Sequence, residues 1–440
     1  MLGCRPIPFK RGAMKQAALS GNGPDRRSIV IGGAGVALAP ALLASCGGGD
    51  RASAARPTGA VTAAVIPPDD LSAFAPTRRE IDEKVDRVRA LLDARKLGAI
   101  RLRRVSSFAW ATGGADSAIN TATDFGVGEL VITRDHRYLV TSNIEAPRFE
   151  GEDRLAEQGW EPAVGRWYQG GDPVASQIRG LAVGADCPLP GAVDLGGEIG
   201  SLRAHLVAAE GARFRELSQR CAAAMDAAMR AIRPGMSERQ IAGLLAGETA
   251  RRGVWPVVDL VATDERIRRF RHPPPVDKAL ERHAMVVLCG RKWGLVCSLT
   301  RFVHFGRLPD DLRARQDAVA RVDATFIAAS RPGAAIKDVF ARALEAYRAT
   351  GFADEWTLHH QGGAAGYEPR EYVGRPDSSE TVADGQAFAW NPSITGTKSE
   401  DTVLVAGADS EVMSAIAGWP TVEASVDGRT WKRPAVLEIT

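Results

Sequence analysis

The chain has 440 residues, of which 45% are hydrophobic and 25% are charged. This composition is typical of globular proteins and the length suffices for two domains, so a mainly disordered, collagenous or coiled-coil chain is excluded. The 56 lysine and arginine residues nearly balance the 53 acidic residues, and this gives no reason to expect a nucleic-acid partner.

Residues 1–45 have the features of an export signal. Arg26 and Arg27 stand directly before an uncharged stretch of small and aliphatic residues that ends in the sequence LASC. The paired arginines resemble a twin-arginine signal, and LASC resembles the lipobox at which a bacterial signal is cut and its cysteine acylated. We therefore predict a lipoprotein of the cell envelope, anchored through Cys46 on the periplasmic side or the outer face of the membrane. A single transmembrane anchor is the alternative.

A tether and a first domain are predicted after the signal. Residues 46–76 begin with the lipidated cysteine, contain a glycine triplet and are rich in alanine, threonine and proline, which is typical of a flexible tether. Thr77 and Glu80 then form a capping box at the start of an amphipathic helix. A strand and a hairpin with alternating apolar residues follow, so we predict an α/β domain over residues 77–205.

The second predicted domain, residues 206–440, contains an internal duplication. Two long helical segments end in the same tripeptide, Arg-Pro-Gly, at residues 233–235 and 331–333. Each turn is followed by another amphipathic helix and then by predicted strands, one of them near residues 356–359. The predicted fold class is α+β, with an α/β domain followed by a duplicated α/β domain.

Four segments of the second domain resemble a known family. In chain order they read RPGMSERQIAGLLAGE, HHQGGAAGYEPREY, DGQAFAWNPSITG and SEDTVLV. They resemble the pita-bread superfamily of methionine aminopeptidase, Xaa-Pro aminopeptidase, prolidase and creatinase, and the resemblance covers roughly residues 77–440. It implies a creatinase-like N-terminal domain, a duplicated pita-bread domain, a peptidase-like activity and, from the prolidase and creatinase branch, a homodimer.

The peptidases of this superfamily hold two divalent metals with two Asp, one His and two Glu, and this sequence retains one of those five ligands. Glu400 matches the final bridging glutamate. The other positions carry Val287–Cys289 and Ser298 or Leu299 for the aspartates, Gly363 for the histidine, and Asn391 for the other glutamate. Because a catalytic metal needs about three protein ligands, we expect no metal and no other cofactor. The alternative is a rebuilt metal site that uses Cys289, Cys297, His359 and Glu400.

The resemblance to creatinase implies catalysis without a metal. His272, in the sequence RHPPP, matches the histidine that serves creatinase as acid and base, a role suited to an imidazole with a pKa of about 6.5. His359 matches a further histidine of the superfamily. We predict catalytic roles for His272, His359 and Glu400. A structural role stays open for both histidines, in an exposed loop for His272 and in a buried strand for His359.

Four residues are predicted to hold the substrate. Arg271 ends a run of arginines before His272, Arg370 replaces another histidine of the superfamily, and Glu371 aligns with a common acid. Asn391 is expected to hydrogen-bond the substrate. Because guanidinium groups bind carboxylates with two hydrogen bonds, we predict a small anionic substrate that is peptide-like or carries a guanidino or ureido group. The alternatives are a solvated basic loop for Arg271 and a scaffold role for Glu371.

Three functions are compatible with this pattern. The first is a metal-independent hydrolase of C–N bonds. The second is a catalytically inactive pseudo-peptidase that binds peptides or amino acids, and the third is a metalloaminopeptidase with a rebuilt metal site. The expected partners are a small-molecule or short-peptide substrate, the membrane through the lipid anchor, and a second copy of the chain.

Overall fold

The computed structural model describes residues 70–407 and 409–440. The predicted export signal, Cys46 and most of the predicted tether lie outside these residues. None of the helices in the described ranges has the length and hydropathy of a membrane span.

The N-terminal domain is a mixed sheet with helices packed on it. Its strands are β1 (Ala99–Arg104), β2 (Phe125–Thr133), β3 (Arg137–Ser142), β4 (Glu161–Gly165), β5 (Val183–Ala185) and β6 (Ala192–Asp194). Its helices are α1 (Arg78–Arg95), α2 (Val105–Ala111), α3 (Ala146–Gly151) and α4 (Gly196–Ala204). The strand order is β4-β3-β2-β1-β5-β6, and α1 packs its apolar stripe into the main core.

The start of this domain differs in detail from the sequence prediction. Thr77 Oγ1 caps α1 by accepting a hydrogen bond from the backbone N–H of Glu80 at 3.2 Å. The Glu80 carboxylate turns to Lys84, at 2.6 Å, so the capping box is only half formed. A short 3-10 helix precedes α1, and the ring of Phe74 in it lies 5.2 Å from that of Trp293. The last part of the predicted tether is therefore packed against the second domain.

The C-terminal domain contains two larger sheets and five helices. The helices are α5 (Ala208–Ala231), α6 (Glu238–Arg251), α7 (Glu265–Arg269), α8 (Asp310–Ala329) and α9 (Ile336–Ala349). The first strands are β7 (Trp255–Thr263), β8 (His283–Lys292), β9 (Leu295–Phe305), β10 (Gly362–Ala365), β11 (Tyr372–Val373) and β12 (Ala387–Trp390). The remaining strands are β13 (Ser393–Ile394), β14 (Thr397–Lys398), β15 (Asp401–Ala406), β16 (Asp409–Val412), β17 (Thr421–Val426), β18 (Arg429–Pro434) and β19 (Leu437–Ile439).

Each larger sheet is covered by one pair of helices. One sheet has the order β19-β9-β8-β7 and shares a core with α5 and α6, and the other has the order β11-β10-β12-β15-β16 and packs on α8 and α9. The sheets meet where β9 approaches β15. There the Thr402 hydroxyl accepts from the backbone N–H of Ser298 at 2.8 Å and donates to its carbonyl at 2.9 Å. This junction brings the side chains of Thr300 and Glu400 together.

The backbone repeats itself at the two Arg-Pro-Gly turns. Gly235 and Gly333 both have φ of +86°, a conformation that favours glycine. The N–H of Gly235 donates to the carbonyl of Leu280 at 2.8 Å, and the N–H of Gly333 donates to that of Val382 at 2.9 Å. Equivalent glycines thus make equivalent contacts, as a duplicated unit requires.

One predicted element of the second half is wrong. The strand expected near residues 356–359 is a 3-10 helix, Glu355–Leu358, and β10 begins only at Gly362. The Glu355 carboxylate accepts hydrogen bonds from the backbone N–H and the hydroxyl of Thr395, both at 2.9 Å. These long-range contacts hold the segment as a turn, which a local apolar pattern does not reveal.

Candidate functional site

Glu400 lies between β14 and β15 in a cluster of basic side chains. It is 2% exposed, and its Oε1 accepts from Arg370 at 2.9 Å. Its Oε2 lies 2.6 Å from Lys398 Nζ and accepts from the Thr300 hydroxyl at 2.6 Å. Burial by itself would raise the pKa of Glu400, but the charges of Lys398 and Arg370 outweigh it and lower the pKa to about 2. Both carboxylate oxygens are therefore engaged by protein cations.

The basic side chains outnumber the carboxylate. In the described part of the chain, neither Lys398 nor Arg370 pairs with an acid other than Glu400. Lys398 is 5% exposed, and the Arg370 Nε is buried without a hydrogen-bond partner among these residues. The cluster thus carries one excess positive charge at low exposure, which favours a nearby anionic group. Lys398 is a site residue that sequence reasoning missed.

Cys289 and Ser298 are among the residues predicted to stand in place of the metal-binding aspartates. They are direct partners across β8 and β9, and Ser298 Oγ lies 3.3 Å from Cys289 Sγ. Burial raises the pKa of Cys289 to about 11, so the thiol is neutral. Cys297 belongs to the next residue pair and its side chain points to the opposite face of the sheet. Cys289, Cys297 and Glu400 therefore do not converge on one rebuilt metal site.

Three histidines form a cluster beside the cations. His272 Nε2 lies 3.0 Å from His359 Nε2, although 87 residues separate them in the chain. One ring nitrogen each of His272, His359 and His360 lies within 4.8 Å of the others. His359 is 9% exposed, whereas His272 and His360 are exposed. The fold brings the two predicted catalytic histidines together and adds His360, whose only sequence signal is its place beside His359.

Hydrogen bonds orient two of the three rings. His359 Nδ1 lies 3.4 Å from the Ser393 hydroxyl, and His360 Nδ1 accepts from the backbone N–H of Gly362 at 3.3 Å. Since two ring nitrogens in contact share one hydrogen, one of the His272 and His359 Nε2 atoms is the donor. If His359 donates from Nδ1 to Ser393, its Nε2 is the acceptor and His272 donates from Nε2. This tautomer leaves a lone pair on His272 Nδ1.

The histidine cluster is neutral at neutral pH. Burial lowers the pKa of His359 to about 2 and that of His360 to about 4, and nearby positive charges act in the same direction. Burial and the charge of Lys398 also lower the pKa of His272. The cluster therefore offers unprotonated imidazoles next to an excess positive charge.

The arginine loop before His272 is already paired. Arg271 donates to the Glu355 carboxylate at 2.9 Å and to the Thr395 hydroxyl at 3.0 Å. Two further arginines of the loop are also matched, Arg266 with Glu238 and Arg268 with Asp311. The role of Arg271 in holding a substrate carboxylate stays a prediction, whereas Arg370 and Lys398 carry the excess positive charge.

Glu371 positions a loop. Its side chain is fully buried, and its Oε2 accepts from Arg203 at 2.7 and 3.0 Å. Its Oε1 accepts from the backbone N–H of Tyr367 at 2.8 Å. These bonds join α4 of the N-terminal domain to the loop that carries Arg370. These contacts favour the scaffold alternative for Glu371, and its predicted substrate-binding role stays a prediction.

Asn391 has an unused acceptor. It is 3% exposed, and among the described residues its Oδ1 has no hydrogen-bond partner. Its backbone N–H donates at 3.0 Å to the carbonyl of Gln361, the residue after His360. A buried acceptor without a donor costs stability, so a ligand or water that donates to it would be favourable. A substrate hydrogen bond to Asn391 stays a prediction.

The donor set does not fit a pair of divalent cations. Glu400 is the one carboxylate at the five predicted positions, and the others carry Val287–Cys289, Ser298 or Leu299, Gly363 and Asn391. A metal ion at Glu400 would compete with Lys398 and Arg370 for the same oxygens. Hard divalent cations need several anionic or neutral oxygen ligands, which this arrangement does not supply.

A cleft is lined by residues of both the N-terminal and the C-terminal domain. It has a volume of about 360 Å³, and its lining includes Thr123, Trp255 and Val258. Trp255 is 53% exposed, which gives the cleft an apolar rim. Its lining includes Tyr367, Glu368 and Pro369 of the loop that carries Arg370.

Comparisons with known proteins agree with this architecture. Residues 212–407 match the model of metallopeptidase family M24. An uncharacterized peptidase of Staphylococcus saprophyticus is 26% identical over 208 residues, which cover 45% of this chain and 58% of the length of that relative. The Xaa-Pro dipeptidase from Bacillus anthracis has a TM-score of 0.66 at 19% identity, over 82% of this chain and all of that one. The prolidase from Pyrococcus horikoshii OT3 has a TM-score of 0.66 at 17% identity, over 76% of this chain and 98% of that one.

An α/β domain followed by a duplicated domain of two helix-covered sheets is the architecture that this chain shares with these solved structures. The chain therefore has the fold of these dipeptidase and prolidase structures, and residues 212–407 are similar to metallopeptidase family M24. The fold class and the resemblance predicted from the four sequence segments are confirmed.

Proposed function

We propose that the protein is a metal-independent hydrolase that cleaves a C–N bond in a small anionic substrate, either peptide-like or with a guanidino or ureido group. The observation that carries this proposal is the contact between the exposed His272 and the buried His359 beside the unmatched positive charge of Lys398 and Arg370. A base, a group that orients it and a cationic subsite are the parts that such a reaction needs.

His272 acts in this proposal as the acid and base. Its Nδ1 takes a proton from a water molecule while the water oxygen bonds to the electrophilic carbon of the substrate. The C–N bond then breaks, and His272 returns the proton to the leaving nitrogen. His359 accepts from His272 Nε2 and so keeps the lone pair on Nδ1. The positive charge of Arg370 and Lys398 attracts the substrate anion and stabilises negative charge that develops on oxygen.

The test uses a panel of Xaa-Pro dipeptides and of guanidino and ureido acids, with amine release measured by mass spectrometry. We expect His272→Ala to lower kcat by about 10²- to 10⁴-fold with little change in KM. His136→Ala is the matched control, because His136 is exposed and pairs with Glu161 on the N-terminal domain. Equal turnover by wild type and His272→Ala would contradict the proposal.

The second candidate function is binding without turnover. It is favoured by the engagement of both Glu400 oxygens, since no free carboxylate of this cluster can activate water. We expect Arg370→Gln to weaken ligand binding by roughly 1.5 to 3 kcal/mol, the worth of a hydrogen bond to a charged group. Calorimetry with the same panel distinguishes the two functions. Tight binding, absent turnover and an unchanged affinity of His272→Ala would identify a binding protein.

We also propose that the protein is exported and held at the cell envelope by a lipid on Cys46. The support is the sequence of residues 1–46 alone, which resembles a twin-arginine signal with a lipobox. We expect Cys46→Ser to move the protein from the membrane fraction to the soluble fraction. Persistent fractionation of the Cys46→Ser protein with membranes after a salt wash would contradict the lipid anchor.

A further inference from the structure

We propose that His272, His359 and His360 form a binding site for a single transition-metal ion, and that this ion inhibits the hydrolase. The inhibition rests on the proposed function, whereas the metal site rests only on the geometry of the three rings. This site is separate from the five positions around Glu400 at which the superfamily holds its metals.

The spacing of the ring nitrogens suits one tetrahedral ion. His272 Nε2 and His359 Nε2 are 3.0 Å apart, and one nitrogen of each of the three rings lies within 4.8 Å of the other two. Two imidazole ligands of a tetrahedral zinc ion, each about 2.0 Å from the metal, are separated by about 3.3 Å. Replacing the shared hydrogen between His272 and His359 by a metal ion therefore needs only a small displacement of the rings.

The protein already orients the ligands. Ser393 contacts His359 at Nδ1, and Gly362 donates to His360 at Nδ1. When His359 donates from Nδ1 to Ser393, its Nε2 lone pair is left for the metal. His360 accepts at Nδ1, so its ring hydrogen is on Nε2 and must leave that atom before the metal binds there. Partners at the second nitrogen fix the orientation of metal-binding histidines in general, and their loss weakens binding about 10- to 100-fold.

The site is open to solvent on one side. His272 and His360 are exposed, and His359 forms the buried wall of the cluster. An ion can therefore enter from solution and keep a water molecule as its fourth ligand. Three histidines and one water form a common zinc coordination.

Ligand chemistry and charge determine which ions bind. Imidazole suits Zn²⁺, Ni²⁺ and Cu²⁺, while Mg²⁺, Ca²⁺ and Mn²⁺ prefer carboxylate and carbonyl oxygens. Lys398 and Arg370 lie near the cluster and oppose a cation, and Glu400 only partly offsets them. We therefore expect an ion that a chelator removes readily.

The consequence for catalysis follows from the tautomer of His272. A metal ion on Nε2 leaves the ring hydrogen on Nδ1. The imidazole then has no lone pair for a proton from water, so turnover stops while the ion is bound.

The direct test is calorimetric titration of Zn²⁺ into the tag-free, chelator-treated protein, together with the visible absorption of bound Co²⁺. We expect one equivalent of Zn²⁺, a tetrahedral Co²⁺ spectrum, and no binding of Mg²⁺ or Mn²⁺ at the same concentrations. His360→Gln and His359→Gln should weaken Zn²⁺ binding at least about 10-fold. The control His136→Gln changes an exposed histidine outside the cluster and should bind like wild type.

Equal Zn²⁺ binding by wild type and His360→Gln, or no binding at one equivalent, would overturn the metal site. His272→Gln provides a further variant at an exposed position in case the buried His359→Gln fails to fold. Zn²⁺ binding without loss of turnover would overturn the inhibition. Zn²⁺ binding by a protein that turns over none of the substrates would leave the metal site standing and reject the proposed function.

Discussion

Glu400 owes its charged state to two basic residues. A buried carboxylate is costly without partners, and here Lys398 lies 2.6 Å away and Arg370 donates at 2.9 Å. These side chains supply at Glu400 the positive charge that divalent cations supply in the metallopeptidases that the sequence resembles. The charge of Glu400 is therefore compensated within the protein, and one positive charge of the cluster remains unmatched.

We expect Lys398→Met to lower the free energy of unfolding by about 2 kcal/mol, because it leaves Glu400 buried with one cationic partner. Lys337→Met is the control, since Lys337 is exposed on α9 and its change should stay within about 0.5 kcal/mol. Urea unfolding at neutral pH measures both values. Equal stability of the two variants would show that the contact between Lys398 and Glu400 contributes nothing.

His283 makes stability depend on pH. It lies at the start of β8, stacked on Phe302, and burial, together with neighbouring His304, lowers its pKa to about 4. Between about pH 6.5 and pH 4 the unfolded chain binds a proton that the folded protein does not. Protonation of His283 therefore does not lower the free energy of unfolding above pH 6.5. As the pH falls below 6.5 the free energy of unfolding decreases, by about 3 kcal/mol at pH 4.

The measurement is the free energy of unfolding at pH 7.5 and at pH 5, for wild type and for His283→Phe. We expect His283→Phe to lose less stability between the two pH values than wild type. An identical pH dependence would contradict a buried, neutral His283. His205→Phe, at an exposed histidine, is the control.

At the scale of elements, the loop between β10 and β11 depends on a contact between domains. Arg203 at the end of α4 and Glu371 in the loop are both buried, and Arg203 also donates to the Ser107 hydroxyl at 2.7 Å. The loop places Arg370 beside Glu400. The N-terminal domain therefore takes part in building the site.

We expect Arg203→Met to destabilise the protein by about 3 to 5 kcal/mol, because it leaves the Glu371 carboxylate buried without its partner. The same variant should raise KM for an anionic substrate, since the loop no longer holds Arg370 in place. Glu345→Gln is the control: it breaks an exposed pair with Arg348 and should leave stability and KM unchanged. A stable Arg203→Met protein with an unchanged KM would contradict this positioning role.

The sequence predicts those elements whose signals are local. The Arg-Pro-Gly turns need a left-handed glycine, and Gly235 and Gly333 are found in that conformation. The 3-10 helix at Glu355–Leu358 depends on the distant Thr395 and has no local signal. Lys398 could have been found, because it lies two residues before Glu400 in an extended segment and so faces the same side.

At the scale of the whole molecule, the order of motifs predicts the fold but not the contacts within the site. His272 and His359 are in contact although 87 residues separate them in the chain. Arg271 and Glu355 also pair, and 84 residues separate them. Residue types alone therefore suggested that the arginine loop binds the substrate anion. Only the three-dimensional arrangement shows which cations are already matched by acids.

We expect the proposed hydrolase to turn over its substrate without a metal. The most direct measurement is the turnover rate and the melting temperature after dialysis against chelator, with the metal content determined on the same sample. We predict that the purified protein contains well under one equivalent of Mn, Co, Zn or Fe and that dialysis leaves its melting temperature unchanged. The turnover rate should be at least as high as before dialysis, and added Mn²⁺ or Co²⁺ should not increase it. Metal independence would be contradicted if the protein contains stoichiometric metal, if removal of that metal abolishes turnover and lowers the melting temperature, and if its return restores both.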